Sequence, residues 1–450
     1  MAMNDRHLDL ETLERFLSDA LPEPASRAVQ RHVLVCQRCE ERLTALLPGP
    51  APLDLPPPSY EGLIRRFLGD HRSEVSGRRR AVVAERAEAS ALWRELEPLD
   101  QEERRARVWN SPRYQSWGLF EHLTDVAQVA VLEEPRGAEG LLRLALDVAD
   151  QLDPREYGPG AVEGAKTRGW SYLGNALRVL GDLHQAELAF QTAELHFSRS
   201  WLDPVDEGRL LAFKANLRRA QRRFDEALEL LDASIAVFRE VNEPHFQGRV
   251  WMNKGLTLQY KGDVQDAIDC FRTSLLLLDS QREPRLIAIC QLNLAGCLQD
   301  SGRSAEAALL IPEVRRMAEQ VGKRSDLLRL RWTEGKVAAS MGRHGEAEEA
   351  LLEVRKEFLA DALHFDAALV SLDLAALYFK EGRLDETKKL AAEVIPVFRS
   401  RDVYREALAA LIVFQQAAEM EQLTLGLVDE ISDYLKHARG NPKLPFRPDA

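Results

Sequence analysis

A period of forty residues constrains this chain more than any other feature. Ala186, Ala227, Ala267, Ala307, Ala347 and Thr387 are separated by 41 residues once and by 40 thereafter. Other positions keep the same register in every copy. Twelve residues before each anchor stand Gly174, Ala215, Gly255, Ala295, Gly335 and Ala375. Five before stand Gly181, Arg222, Gly262, Gly302, Gly342 and Gly382, and four after stand Phe190, Leu231, Phe271, Ile311, Leu351 and Ala391.

Each class of position has a mechanical reason in a unit of two antiparallel helices. A glycine five before the anchor ends a first helix, because the left-handed cap conformation costs other residues about 1 kcal/mol or more. Small residues suit a close helix crossing, and large ones four past the anchor fill the space between units. One pair cannot bury its own apolar face, so neighbours must stack into an all-α solenoid.

At Trp170, Leu173, Gly174, Ala186, Phe190 and Ala193 the unit resembles the tetratricopeptide repeat, and Trp251, Gly255, Ala267 and Phe271 repeat the pattern. Arg331 and Ser371 replace the large first-helix residue, and Thr387 replaces an alanine. The resemblance implies a right-handed superhelix, and a period longer than that family's usual one implies longer helices or loops. Six good units run from about 167 to 400, with a degenerate earlier one around Ala138, Leu142 and Ala145. A further helix pair from about 403 to 438 caps the end, and 439–450 form a tail.

The 450 residues, 45% hydrophobic, can bury a long series of small cores. No uninterrupted apolar run is long enough to cross a membrane, and Met1–Leu10 lacks the basic and apolar regions of a signal peptide, so a cytoplasmic location is expected. A net charge of −12 argues against general nucleic-acid binding but leaves room for a local basic surface. Five cysteines in this length do not suggest a disulfide framework.

Two of those cysteines belong to His32-Val-Leu-Val-Cys36-Gln-Arg-Cys39, inside a helix predicted from about 24 to 47. Spacings of four and three place His32, Cys36 and Cys39 on one helical face, within reach of one ion. Thiolates with imidazoles suit zinc, which needs a fourth ligand. His7 is the best candidate, Asp9 the weaker one, and a water is the remaining option. The competing readings are two small buried hydrophobes or a redox thiol pair, although the flanks lack the βαβ setting of a thioredoxin-like site.

This N-terminal stretch resembles the zinc-binding anti-sigma factor domain, also described as a zinc-finger. The likeness rests on His7-Leu-Asp-Leu-Glu-Thr-Leu-Glu-Arg-Phe-Leu, the turn Leu21-Pro-Glu-Pro, and His32 with Cys36 and Cys39. It implies a bacterial regulator in which short helices organised by structural Zn2+ hold a sigma factor away from RNA polymerase. His7 stands where the family often has a cysteine, which puts the disulfide switch of its redox-sensing members in doubt.

The zinc module is thus expected at 1–47, followed by a proline-rich linker at 48–59, too rich in proline for helix or central strand. Residues 60–118 read as a charged helical connection and 119–402 as the solenoid. The runs Arg78-Arg79-Arg80 and Glu102–Arg107 read as solvated helix faces, because no aromatics interleave them.

The inner face of the solenoid gives the sharper functional signal. Eighteen residues before the anchors stand Arg168, Arg209, Arg249 and Arg329, with Ile289 and Leu369 breaking the series. Eleven before stand Asn175 and Asn216, eight before Arg178 and Arg219, and fourteen before Asn253 and Asn293. Arginine forks grip carboxylates at two points, and amides pair with both donors and acceptors of an extended backbone. A locally basic groove for a protein or acidic peptide is therefore expected, and reversing Arg168, Arg209 and Arg249 should then leave thermal stability unchanged. The alternative is that these arginines pair with acids on adjacent helices.

Cys270, Cys290 and Cys297 read as small buried residues, and His184, His344 and His364 as helix-end residues. No cluster of acid, base and nucleophile stands outside the packing pattern, so an enzyme is not expected. The leading reading is a cytoplasmic regulator or adaptor; a scaffold without transcriptional role and a peptide-sensing receptor are the alternatives. Exchanging Cys36 and Cys39 for serine is expected to unfold the N-terminal module and leave the solenoid's helicity nearly intact, since the two share only a linker; loss of most helix by circular dichroism would overturn the two-module picture.

Overall fold

The protein is described from a computed structural model covering residues 9–17, 21, 25, 29, 81–200, 203–399, 414 and 424–438. All regular elements among these residues are helical. Contacts divide the chain into two compact units, Met1–Ala81 and Val82–Ala450. The residues expected to hold zinc, His7, His32, Cys36 and Cys39, and the expected linker and tail lie outside the described residues.

In the first unit, helix α1 spans Leu10–Leu17. Asp9 opens it by accepting the Thr12 backbone N–H at 2.7 Å, and hydrogen bonding from the Thr12 side chain first, then from this N–H, holds the carboxyl below its ordinary pKa. That capping role occupies the weaker of the two candidates for a fourth zinc ligand. Leu13 is fully buried.

The second unit begins with α2 (residues 81–96), α3 (Gln101–Asn110) and a 3₁₀ turn at Pro112–Tyr114. The charged run in α3 is partnered on two sides: Arg105 forks onto Asp147 at 2.8 and 3.1 Å, and Arg104 lies over the Trp93 ring. The degenerate unit is the pair α4 (Trp117–Ala130) and α5 (Pro135–Gln151), followed by the single turn α6 (Pro154–Tyr157).

The six regular units follow as α7 (Pro159–Val179) with α8 (Leu183–Phe197), α9 (Pro204–Ala220) with α10 (Phe224–Glu240), and α11 (Pro244–Lys261) with α12 (Val264–Leu277). After them come α13 (Pro284–Asp300) with α14 (Ser304–Val321), α15 (Arg324–Ser340) with α16 (His344–Ala360), and α17 (His364–Lys380) with α18 (Leu384–Arg399). Most helices run about 17 residues, which accounts for the long period. Proline opens four of the six first helices, where its missing N–H leaves no bond unmade. Pro159 is one of these, so Gly160, read from sequence as part of a loop, is a buried residue of α7.

All six anchors lie on second helices and are buried. The residue five before each has positive φ, from 71° to 100° at the five glycines and 61° at Arg222. Gly181 shows what this conformation achieves: it lets the Asp182 N–H turn back to the Leu177 carbonyl and close the helix end.

The small and large positions turn out to be partners within one unit. A Cβ on Gly174 would lie 2.8 Å from the Phe190 ring, one on Gly255 equally close to Phe271, and one on Gly335 at 3.0 Å from Leu351. Where the first-helix residue is Ala215, the partner in the same core is the shorter Leu231; where it is Ala375, the partner is Ala391. A larger second-helix residue goes with a smaller first-helix one in the Gly–Phe and Ala–Leu copies, whereas the Ala375–Ala391 pair is small on both sides. Helix α19 (Leu425–Ala438) and Phe414 close the far end by burying Val428, Ile431 and Leu435 against α17 residues.

Gly255→Ala is expected to destabilise the chain by about 1–3 kcal/mol through overpacking. Adding Phe271→Leu, which recreates the Ala215–Leu231 pairing, should recover most of that loss in denaturant unfolding.

Candidate partner-binding groove

First helices of successive units contact one another along the stack, from α7 against α9 to α15 against α17, whereas each second helix packs between its own first helix and the next. First helices therefore line the inner side. Charge follows this division. The six first helices carry 16 arginines and lysines against 8 carboxylates, and the six second helices carry 9 against 20. A chain of net charge −12 thus has a basic inner layer and an acidic outer one.

The predicted arginines divide into two groups. Arg168 forks onto Asp206 of α9, with both contacts at 3.2 Å, and lies 4.0 Å from Glu121. Burial alone would lower its pKa, but the field and hydrogen bonds of Asp206 outweigh that effect and hold it above the ordinary value. Arg209 donates to the Tyr172 hydroxyl at 3.2 Å, approaches Asp206 at 3.7 Å and stacks over the Phe246 ring. Arg249 donates to Glu283 at 3.2 Å, and Arg329 to the Asn293 Oδ1 at 3.0 Å. These side chains hold neighbouring first helices together, which corrects the expectation that reversing them would cost no stability.

Arg178 and Arg219 differ. Arg178 donates twice to Asn175 Oδ1, at 3.1 and 2.9 Å, and Arg219 donates to the Asn253 backbone carbonyl at 3.3 Å. Neither has a carboxylate within ion-pair distance among the described residues. Burial lowers the Arg178 pKa to about 10 with the charge of Arg219 adding to it, and burial lowers Arg219 as well. Asn216, three residues before Arg219 on α9, has a buried Oδ1 without a hydrogen-bond partner among the described residues. The series eighteen before the anchors is thus structural in three or four places, and the series eight before carries unneutralised charge.

A polar concavity of about 370 Å³ opens among α2, α4, α7 and α9, lined by Arg86, Glu121, Asp125, Gln128, Arg168, Tyr172 and Arg209. Arg86 forks onto Glu121 there at 2.5 and 2.8 Å. Sequence reasoning missed the carboxylates of this network although a signal existed: Asp206, Asp326 and Asp366 recur twenty-one residues before their anchors, and all three are buried. Cys270, Cys290 and Cys297 are buried, and desolvation pushes their thiols up to about 11, 12 and 12. No helix among the described residues is long and apolar enough to cross a membrane.

Residues 206–275 match the tetratricopeptide repeat family. No curated protein sequence matches the chain. Among solved structures, the Rap protein complexed with Competence and Sporulation Factor superposes with a TM-score of 0.53 at 14% identity, covering 71% of this chain and 87% of that one. The apo form of the quorum sensor NprR from B. thuringiensis gives 0.52 at 14% identity over 71% and 90%. The signal-transduction ATPase PH0952 from Pyrococcus horikoshii, which has a tetratricopeptide repeat sensor, gives 0.52 at 14% over 97% of this chain and 61% of that one. At these identities the likeness establishes a shared tetratricopeptide-like solenoid fold.

Arg168→Gln is expected to cost about 1–3 kcal/mol in chemical denaturation, because it removes the forked partner of the buried Asp206 carboxylate and leaves only Arg209, at 3.7 Å, beside it. Arg329→Gln, which breaks a bond to a neutral amide, should cost about 1 kcal/mol.

Proposed function

We propose that the chain is a non-enzymatic regulatory or adaptor protein that receives a protein or acidic peptide on the inner face of its solenoid. The observation that supports this most directly is the separation of charge: basic first helices inside, acidic second helices outside, with Arg178, Arg219 and Arg329 bonded to neutral oxygens and without a carboxylate at ion-pair distance among the described residues. Such a groove draws an acidic chain inward, while its asparagine amides match an extended backbone.

Among the solved folds it resembles, Rap was crystallised with a bound factor and NprR is a quorum sensor. Carrying a sensing role to this chain is part of the proposal, and it favours the receptor reading over a passive scaffold. Under it, ligand contacts to consecutive first helices bias the spacing of the stack, which neighbour-only packing transmits along the solenoid.

The proposal extends to the N-terminal stretch: His7, His32, Cys36 and Cys39 hold a structural Zn2+, in a module that holds a sigma factor in the cytoplasm. This part is carried by residue spacing and family likeness alone. Affinity capture from native cells, with the full-length chain and a chain lacking residues 1–58, tests both parts. Recovery of a sigma factor only by the zinc-bearing full-length chain supports sequestration. Identical partners with both chains assign binding to the solenoid and remove the sigma reading. Failure of both chains to capture any protein or peptide overturns the adaptor reading.

A further inference from the structure

We propose that His245 is an acid-sensitive joint between the third and fourth regular units: its neutral ring fastens the loop 278–283 to α11, and adding a proton releases that loop. Two other joints show what is unusual here. After α10 and after α16 the chain reverses on a residue of positive φ, Asn242 at 54° and Ala362 at 58°. Backbone bonds then close those helix ends, from the Glu243 N–H to the Phe238 carbonyl and from the Leu363 N–H to the Phe358 carbonyl. After α12 the backbone at Leu278 is extended, and no residue of positive φ precedes α13. The Asp279 N–H donates instead to His245 Nδ1 at 3.1 Å. The joint after α14 also uses a side chain, with the Lys323 N–H on Asp326 Oδ2 at 3.0 Å, but a carboxylate remains an acceptor far below neutral pH. Among these four acceptors, only the imidazole changes its protonation near neutrality.

A neutral imidazole that accepts at Nδ1 carries its proton on Nε2. Here Nε2 is buried without a hydrogen-bond partner among the described residues, and Glu283 Oε2 stands 3.6 Å away. A second proton can go only to Nδ1, where it takes the lone pair from the Asp279 N–H and leaves two donors facing each other. Asp279 also organises the loop. Its carboxyl accepts the Gln281 and Arg282 N–H groups at 2.8 and 3.4 Å, and its carbonyl accepts the Glu283 N–H at 3.2 Å, so freeing Asp279 frees the loop as one piece. Of the charges around the ring, Glu283 and Asp279 favour the cation and Arg282 and Arg249 oppose it. Burial is the largest influence and holds the ring below the ordinary histidine pKa. The unfolded chain therefore binds this proton more readily than the native one. The stability linked to the ring is complete above about pH 6.5 and is lost as pH falls toward the ring's own pKa. Because each unit packs only on its neighbours, the loosening is confined to this boundary.

The test uses the full-length chain with isotopically labelled histidine, beside the variant His245→Asn, whose Oδ1 can replace the Nδ1 acceptor without titrating. Nuclear magnetic resonance of the rings should show one histidine, missing from the variant, that is in the Nε2–H form and titrates below about pH 6.5. The fall in melting temperature from about pH 7.5 to about pH 5 should be smaller in His245→Asn by at least about 2 °C. A ring that carries its proton on Nδ1, a ring that titrates at or above about pH 6.5, or an equal fall in melting temperature in both chains overturns the joint. Hydrogen exchange of the unaltered chain, corrected for the intrinsic effect of pH, decides the matter even where the variant does not fold. Protection of the Asp279 amide should drop at least about tenfold between the same two pH values, while that of Glu243, bonded to a backbone carbonyl, holds. Equal changes at the two amides would show that acid loosens the stack as a whole and that His245 is no joint.

Discussion

The crossing of the two helices within each unit is the contact on which the solenoid depends. A glycine or alanine on the first helix sits at the crossing with a side chain of the second, and where that side chain is a phenylalanine the first-helix residue is glycine. Gly174 accommodates Phe190, Ala215 accompanies Leu231, and Ala375 accompanies Ala391. Because interiors tolerate neither overlap nor void, this pairing sets the interhelix distance, and the distance sets the angle at which the next unit docks. The positive-φ residue at each turn fixes the reversal that brings the two helices to that crossing.

Regular stacking of this kind turns register into position. Residues at one offset from the anchors recur on one side of consecutive first helices, so a single side chain repeated with the period becomes a row. In the row eighteen before the anchors, Arg168 and Arg249 meet acids one unit on, at Asp206 and Glu283, and Arg209 and Arg329 reach one unit back, to Tyr172 and Asn293. Such bridges tie inner helices to each other at the place where packing is thinnest. Buried as Asp206 is, its pairing with Arg168 is required once the carboxylate is there, whether or not the pair adds net stability over apolar residues.

The architecture was legible in the sequence because its signals are local and repeated: anchors, cap glycines and size-paired positions each follow from the geometry of one helix pair. Gly160 was not legible: the proline beside it starts a helix instead of extending a loop, so the first regular unit opens at Pro159. The inner-face arginines were legible as a row but not as individuals. Whether a guanidinium faces a ligand or a carboxylate depends on which residue the next unit places opposite, and that offset crosses a unit boundary. The recurrence of Asp206, Asp326 and Asp366 carried this information at a spacing that helical periodicity within one element does not reveal. Unpaired charge is harder still to read, since it is defined by what is missing around Arg178 and Arg219.

An acidic exterior gives the inner charges their meaning. With 20 carboxylates on the second helices against 9 cations, the outside of the stack repels an acidic chain, and only the inner face attracts one. Attraction from outside is screened within about 10 Å at ordinary salt, so it raises the rate of encounter more than the strength of holding. Holding needs partly buried, oriented donors. Those are concentrated where α7, α9 and α11 meet, since Asn175 orients Arg178 and the Asn253 carbonyl orients Arg219. The long-range field and the short-range donors thus lie on the same helices, and a ligand guided by the first is delivered to the second.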